Sequence, residues 1–521
     1  MKRDEMIGRL KAHAGTPWDF IIIGGGATGV GIAIDAASRG YKPLLLEQCD
    51  FAKGTSSRST KLAHGGVRYL QQGNISLVLE ALRERGLLRQ NAPHLVHDLA
   101  FIVPNYDWWE GGFYGFGLRV YDLMAGKLGF GPSRNLSVEK TIEAVPTLET
   151  KGLRGGVVYY DGQFDDARLV VNMVETAVEQ GATMINYMPV TGLIKKDGFV
   201  RGVTARDEET GETYTLDAKV VINATGPFTD NIRRMEDAAA KPMISPSQGV
   251  HIVLEKSFLP GDSAIMVPHT DDGRVLFAIP WHDCVVVGTT DTPVDDTPLE
   301  PRAQAEELEF LLKHAARYLT KDPTPADVLS VFVGIRPLAK VAEEHGSTAS
   351  LSRDHTLHIS NEGLVTIAGG KWTTYRRMAE DTVNQALLLA QLDHRPCVTV
   401  DLRIHGYHHH PEEFGDLQYY GSDAVAIGDL IRSNAKYGEL LHPARKYRVG
   451  EVVWAVRNEM ARTVEDFLSR RTRALLLGAK VSVEMAPTVA RIMAEELGRD
   501  EVWQQEQVRQ FTELAKIYTA E

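Results

Sequence analysis

The segment that most restricts the fold is Trp18-Asp19-Phe20-Ile21-Ile22-Ile23, followed directly by Gly24-Gly25-Gly26-Ala27-Thr28-Gly29. Five of the first six residues are apolar and three are isoleucine, which predicts a strand buried in a parallel sheet. Gly24, Gly26 and Gly29 fit the G-x-G-x-x-G spacing. In that pattern the first glycine makes a tight turn, the second admits a pyrophosphate to the backbone, and the third lets helix and strand pack closely. A helix is expected from about Gly29 to Arg39, stopped by Gly40. Pro43 to Glu47 then reads as a second strand, with the Glu47 carboxylate placed to accept hydrogen bonds from a ribose. Strand, glycines, helix, strand and acid in this order specify a βαβ dinucleotide unit. The amino end of its helix offers N–H groups and a positive dipole end to phosphates. The pattern alone leaves open which dinucleotide it holds.

The 521 residues predict two or three domains. Thr191–Lys195 and Phe199–Ala205 flank Asp197-Gly198 as a hairpin, and Tyr214–Leu216 and Val220–Asn223 read as further strands. Between 248 and 290, strands alternate with turn signals such as Asp271-Asp272-Gly273, which indicates an antiparallel sheet. Residues 302–319 form an amphipathic helical pattern. Strand signals return at 328–334 and 364–368, and a helix begins near Tyr375. Residues 423–521 read as nearly all helical.

The net charge of -12 argues against a general nucleic-acid binder. Cys49, Cys284 and Cys397 are far apart and no C-x-x-C occurs, so neither a disulfide framework nor an iron–sulfur cluster is expected, and the usage fits a reducing cytosol. The first residues lack the apolar core of a signal peptide, and no apolar run of about 18 residues predicts a spanning helix. His408-His409-His410 are consecutive and cannot all face one ion from regular structure, so they read as a solvated loop and no metal is expected. Residues 107–130 carry Trp108, Trp109, Phe113, Tyr114, Phe116, Leu118 and Phe130; burial within a substrate domain is the expectation, and contact with a membrane surface the alternative.

Gly54 to Leu70 is crowded with hydroxyls, bases and glycines. Here the chain resembles the FAD-dependent, respiratory glycerol-3-phosphate dehydrogenases over roughly residues 18–395. The segments that carry the resemblance are IIIGGGATGVGIAIDAASRG, TSSRSTKLAHGGVRYL, DGQFDDARLV, VINATGP, HIVL, IPWHDCVVVGTTDT, GIRPL and GGKWTTYRRMAED, in one order.

The resemblance implies an α/β (α+β) two-domain flavoprotein. A Rossmann-type FAD-binding domain (16–75, 150–235 and 352–395) would interleave with an antiparallel-sheet substrate domain (76–149 and 236–351), ahead of a C-terminal all-α domain (396–521). It implies FAD contacts from Gly24, Gly26, Gly29, Glu47, Thr55, Ser56, Ser57, Lys61, His64, Gly65, Ala224, Gly226, Gly370, Lys371 and Thr373. It places Arg336 and Arg353 on the substrate phosphate, and Arg68 and Tyr69 at the glycerol hydroxyls. His251 is the first candidate for the base and His64 the second, with Lys371 close to the flavin. Arginine suits bidentate phosphate recognition, and histidine suits proton transfer near neutral pH.

The expected reaction is oxidation of sn-glycerol 3-phosphate to dihydroxyacetone phosphate by hydride transfer from C2 to flavin N5. Electrons would pass to a quinone, with an oxidase that reduces oxygen to peroxide as the alternative. A cytoplasmic enzyme at the inner face of the membrane, with homodimerisation open, completes that expectation. An amine- or hydroxyacid-oxidising flavoenzyme of the same fold, or a non-catalytic FAD-binding protein, are further readings.

Overall fold

Trp18–Ile23 lies at the middle of an eight-stranded sheet, paired in parallel with Pro43–Leu46 on one side and Thr213–Asn223 on the other. The computed structural model describes residues 1–66, 74–108, 110–267, 270–271, 273–340 and 355–520. Thr183–Ile185 extends this sheet beyond Pro43–Leu46, and Val365–Gly369 extends it beyond Thr213–Asn223. The helix Ala27–Ser38 follows the glycines and is buried almost all round. It packs against Tyr375–Ala390 on one side and Asp166–Glu179 on the other. A layer of helices over a parallel sheet buries the apolar side chains of its strands.

The hairpin Val190–Lys196 and Phe199–Arg206 forms as expected. Tyr214–Leu216 and Val220–Asn223 do not form two strands; Thr213–Asn223 is one. Its first half pairs antiparallel with Phe199–Arg206 and its second half parallel with Trp18–Ile23. Asp217 and Lys219 look like a break in sequence, but both sit half-buried at the change of partner.

The second sheet has ten strands and is mainly antiparallel. Ile244–Glu255 and Val328–Ala339 pair along nearly their whole length. Leu276–Trp281, Cys284–Gly288, Ala264–Val267 and Val96–Asn105 complete its centre. The expected boundary at residue 150 is corrected here. Gly155–Phe164 belongs to this second sheet, antiparallel to Val96–Asn105 over ten residues, and Leu62–Ala63 pairs with it. A strand followed by the helix Asp166–Glu179 reads locally as a βα unit. The helix does pack on the first domain, but the chain changes sheets between the two.

The aromatic segment is also corrected in part. Glu110–Ala125 is a helix with two apolar faces. Tyr114, Leu118, Tyr121 and Ala125 recur at helical spacing and are buried, whereas Phe113, Phe116 and Leu123 lie on the opposite face at 53%, 73% and 81% exposure. Trp108, just before the helix, is 83% exposed.

The C-terminal part is mostly helical, with Asp423–Ser433, Val449–Asn458, Ala479–Leu497 and Glu501–Lys516 as its main helices. It also holds a small hairpin, Leu440–His442 with Arg445–Arg448, and a π-helical turn at Asp466–Arg471. Its core is continuous with the second sheet through Val253, Trp281, Val286 and Phe332. No helix among the described residues is long and apolar enough to cross a membrane.

Candidate active site

A cleft of about 630 Å³ runs from the ends of the first parallel strands to the face of the second sheet. At one end its wall is backbone. Gly24 has φ +110°, and a Cβ there would stand 2.7 Å from the Ala224 carbonyl oxygen. A Cβ on Gly29 would stand 2.0 Å from the Gly24 carbonyl oxygen, so turn and helix touch without room for a methyl group. The Gly26 backbone opens on the cleft where the helix Ala27–Ser38 begins, with no side-chain cap from Gly26 itself. The Ala27 N–H donates to Ser56 Oγ at 2.9 Å. Glu47 accepts from the Gly25 and Cys49 N–H groups at 2.6 and 2.9 Å, and burial pushes its carboxyl above the ordinary value. Each oxygen keeps a lone pair for a ribose.

This end therefore fits a dinucleotide. It offers a helix amino end for phosphates, glycines that clear a path to the backbone, and a carboxylate at the end of the second strand.

The other end is built from side chains. His251, from Ile244–Glu255, and Arg336, from Val328–Ala339, stand on neighbouring strands and both line the cleft. Arg336 donates to Asp291 Oδ1 at 3.2 Å, Thr289 Oγ1 at 3.1 Å and the Thr290 carbonyl at 3.0 Å. Its side chain is 25% exposed, so this fan of bonds holds a guanidinium that still faces open space. His251 stacks on Phe332, with ring centroids 4.7 Å apart, and its Nε2 lies 2.9 Å from Thr60 Oγ1. Burial, helped by the positive charges of Lys61 and Arg336, pulls its pKa well below the ordinary 6.5. The ring is therefore neutral at physiological pH. Lys371 and Gly370 enter from the turn after Val365–Gly369, and Thr55 anchors its loop by donating to the Ile335 carbonyl at 2.6 Å.

Of the residues singled out in sequence, Gly24, Gly26, Glu47, Thr55, Ser56, His64, Ala224, Gly226, His251, Arg336, Gly370, Lys371 and Thr373 line this one cleft. Gly29 packs behind it. Three others are placed elsewhere. Gly65 donates its N–H to Tyr121 Oη at 2.9 Å and faces the helix Ile75–Asn91 through Leu82. Ser57 is buried and turns its carbonyl away from the cleft. Lys61 is fully buried, donating to Asp166 Oδ2 at 2.7 Å and the Ser57 carbonyl at 2.8 Å, with its ammonium over the Phe332 ring. Burial pulls Lys61 down to about 7, against the pull of Asp166. Arg68, Tyr69 and Arg353 lie outside the described residues.

Sequence reasoning missed the group that holds this loop. Asp166 accepts from the Ser59 N–H and Oγ, from Lys61, and from Arg473 at 3.0 Å. Arg473 also donates to the Ser57 carbonyl at 2.6 Å. Arg473 comes from the C-terminal part, just after the π-helical turn and with φ +61°. The run Arg470-Arg471-Thr472-Arg473 was the available signal, but its partners are some 300 to 420 residues away.

A family model described as FAD dependent oxidoreductase matches residues 19–376, and one described as the C-terminal domain of alpha-glycerophosphate oxidase matches 365–507. The chain belongs to the FAD-dependent glycerol-3-phosphate dehydrogenase family. It is 40% identical to the mitochondrial glycerol-3-phosphate dehydrogenase SDP6 of Arabidopsis thaliana, over 98% of this chain and 87% of that protein. It is 41% identical to the human mitochondrial glycerol-3-phosphate dehydrogenase, over 94% of this chain and 72% of that protein. The glycerol-3-phosphate dehydrogenase of Bacillus halodurans, solved with FAD, superposes with a TM-score of 0.80 at 30% identity, covering 99% of this chain and 97% of that one. The chain is an FAD-dependent oxidoreductase, and the glycine-lined end of the cleft matches that cofactor's needs.

Proposed function

We propose that this enzyme oxidises sn-glycerol 3-phosphate to dihydroxyacetone phosphate and passes the electrons to a quinone at a membrane surface. The observation that carries the reading is that Arg336 and neutral His251, on neighbouring strands, line the same cleft as Lys371 and the glycine turn that suits a dinucleotide. Bound FAD supplies the acceptor for a hydride from C2. Arg336, braced by Asp291, Thr289 and Thr290, presents donors to the phosphate without having to be ordered by it. Lys371, at the turn before Trp372–Thr374, lines the cleft and would offer positive charge to bound FAD. His251, kept neutral by its surroundings, accepts the C2 hydroxyl proton, and Thr60 fixes the ring's orientation. Arg353, Arg68 and Tyr69 complete the substrate's surroundings in this reading.

The membrane part rests on Trp108, Phe113, Phe116 and Leu123. They form an outward apolar face on one short segment, with Ile75 and Leu79 also exposed on the neighbouring helix Ile75–Asn91. An apolar helical face with interfacial tryptophan suits shallow insertion in a bilayer.

Two mixes from one anaerobic preparation test the acceptor. Enzyme reduced with glycerol 3-phosphate is mixed with a short-chain quinone or with oxygenated buffer. Reoxidation by the quinone at least about tenfold faster supports the dehydrogenase. Faster reoxidation by oxygen, with stoichiometric peroxide, makes the enzyme an oxidase instead.

A further inference from the structure

Far from the cleft, the helix Asp166–Glu179 meets the segment that leads into the C-terminal helices. Glu175 and Glu179 stand one turn apart on that helix. Facing them is His405, with Asp423 from the first turn of the helix Asp423–Ser433. His405 Nε2 lies 2.8 Å from Asp423 Oδ2 and 3.5 Å from Glu175 Oε2, and Nδ1 lies 2.6 Å from Glu179 Oε1. One oxygen or nitrogen from each of Glu175, His405 and Asp423 falls within 4.8 Å of the others.

Three features separate this cluster from a surface ion pair. Glu175 is only 5% exposed, and its Oε2, aimed at His405, receives no hydrogen bond. The His405 imidazole faces that buried oxygen at 3.5 Å, too long for a good hydrogen bond, which leaves the oxygen able to take a closer cation. Three carboxylates also crowd one imidazole, and burial raises the Glu175 carboxyl to about 8 although His405 and Arg168 lie near it. Finally, the backbone of His405 is fixed from the same helix on both sides of Glu175. Its N–H donates to Thr176 Oγ1 at 2.8 Å, and its carbonyl accepts from Asn172 Nδ2 at 2.9 Å. Ligands held this firmly before binding are what a metal site requires.

We propose that Glu175, His405 and Asp423 bind a divalent cation of zinc's class, which staples the C-terminal part to the FAD-binding domain. His405 Nε2, Glu175 Oε2 and Asp423 Oδ2 are three ligands of the type zinc takes, with water as the fourth. Zinc–ligand bonds of about 2.1 Å put tetrahedral ligands about 3.4 Å apart. The Glu175–His405 spacing of 3.5 Å already matches that edge, the Asp423–His405 spacing of 2.8 Å must open by about half an ångström, and Glu175 and Asp423, within 4.8 Å, must close on the ion. Glu179 then accepts from Nδ1–H, the carboxylate–histidine–metal arrangement that fixes the tautomer. One nitrogen and two hard oxygens favour zinc, cobalt or manganese over copper(I), which prefers sulfur. The inference does not depend on what the cleft oxidises.

The test uses FAD-loaded enzyme cleared of metal by chelation, with zinc chloride titrated against a chromophoric competitor. The exposed run His408–His410 lies close in sequence and is the obvious adventitious site, so a variant with all three changed to alanine is the control. The expected result is one zinc per chain in both wild type and this control, with binding weakened at least roughly a hundredfold in His405→Ala and Asp423→Asn. Glu175→Gln should weaken it too. Retained flavin absorbance shows that each variant is folded, and Asp423→Asn preserves shape should His405→Ala fail to fold. Cobalt should give visible d–d bands in wild type that are absent in Asp423→Asn. Zinc that follows His408–His410, binding indifferent to positions 405 and 423, or no zinc taken up against the competitor would each overturn the proposal.

Discussion

The two ends of the cleft are built from different materials. The dinucleotide end is backbone: Gly24, Gly26, the amino end of Ala27–Ser38 and the Ala224 carbonyl, with atoms too close together to admit side chains. The substrate end is side chains: Arg336, braced by Asp291, Thr289 and Thr290, and His251, stacked on Phe332 and bonded to Thr60, with Lys371 also lining the cleft. A backbone site tolerates almost no substitution at its glycines, because its shape is its function. A side-chain site loses its function in steps, as each charge or brace is removed.

The largest effect that separates the ends is expected from Gly29→Val. Its Cβ would occupy the space of the Gly24 carbonyl oxygen, only 2.0 Å away. The variant should be purified nearly free of flavin, measured as the ratio of flavin to protein absorbance. Full flavin content would show that the close approach is not needed.

Arg336→Ala acts on the other end and should spare flavin content. Loss of a charge-assisted hydrogen bond costs about 1.5–3 kcal/mol, so the KM for glycerol 3-phosphate should rise roughly 10- to 150-fold. Arg336→Lys should recover part of it, since charge returns without the bidentate fork. Steady-state kinetics of both variants decide this, and an unchanged KM would move the phosphate elsewhere.

Arg473→Met tests whether the C-terminal part holds the cofactor loop through Ser57 and Asp166. Here the expected loss is about tenfold in FAD affinity with little change in KM. Flavin release followed by fluorescence checks it. A KM effect alone would mean that the loop serves the substrate end.

The smallest expected effect is on pH dependence. Because burial and two nearby cations hold His251 below its ordinary value, it stays unprotonated as pH falls through 6.5. The kcat at saturating substrate should therefore show no histidine limb near 6.5 and should fall only at lower pH. For stability, the depressed folded value makes the neutral ring's contribution present above about 6.5 and lost as pH falls through the folded value. A kcat limb at 6.5 would assign the base to another group.

How much was legible in sequence follows the same division. The glycine turn, Glu47 and the helix between them are set by neighbours within about 30 residues, so spacing alone placed them. Arg336 and His251 sit in strands far apart in the chain, and only the family resemblance singled them out. Lys61 stood in a cofactor-like segment, but a 0% exposed ammonium over Phe332 serves the loop's interior, and nothing local in the sequence marks Asp166 or Arg473 as its partners. Gly155–Phe164 was misplaced because sheet membership depends on a partner strand, Val96–Asn105, that local pattern does not name. For Glu110–Ala125 the sequence left burial and surface contact as alternatives, because both faces of that helix are apolar and composition does not say which is covered.

The central claim is that a cationic pocket presents a phosphorylated alcohol to bound FAD. Its most direct test is anaerobic bleaching of the flavin by glycerol 3-phosphate and by glycerol, in wild type and Arg336→Ala. The account predicts rapid bleaching of wild type by glycerol 3-phosphate, none by glycerol at equal concentration, and a large loss of that preference in the variant. Equal bleaching by both alcohols, or a preference that survives in Arg336→Ala, would contradict it.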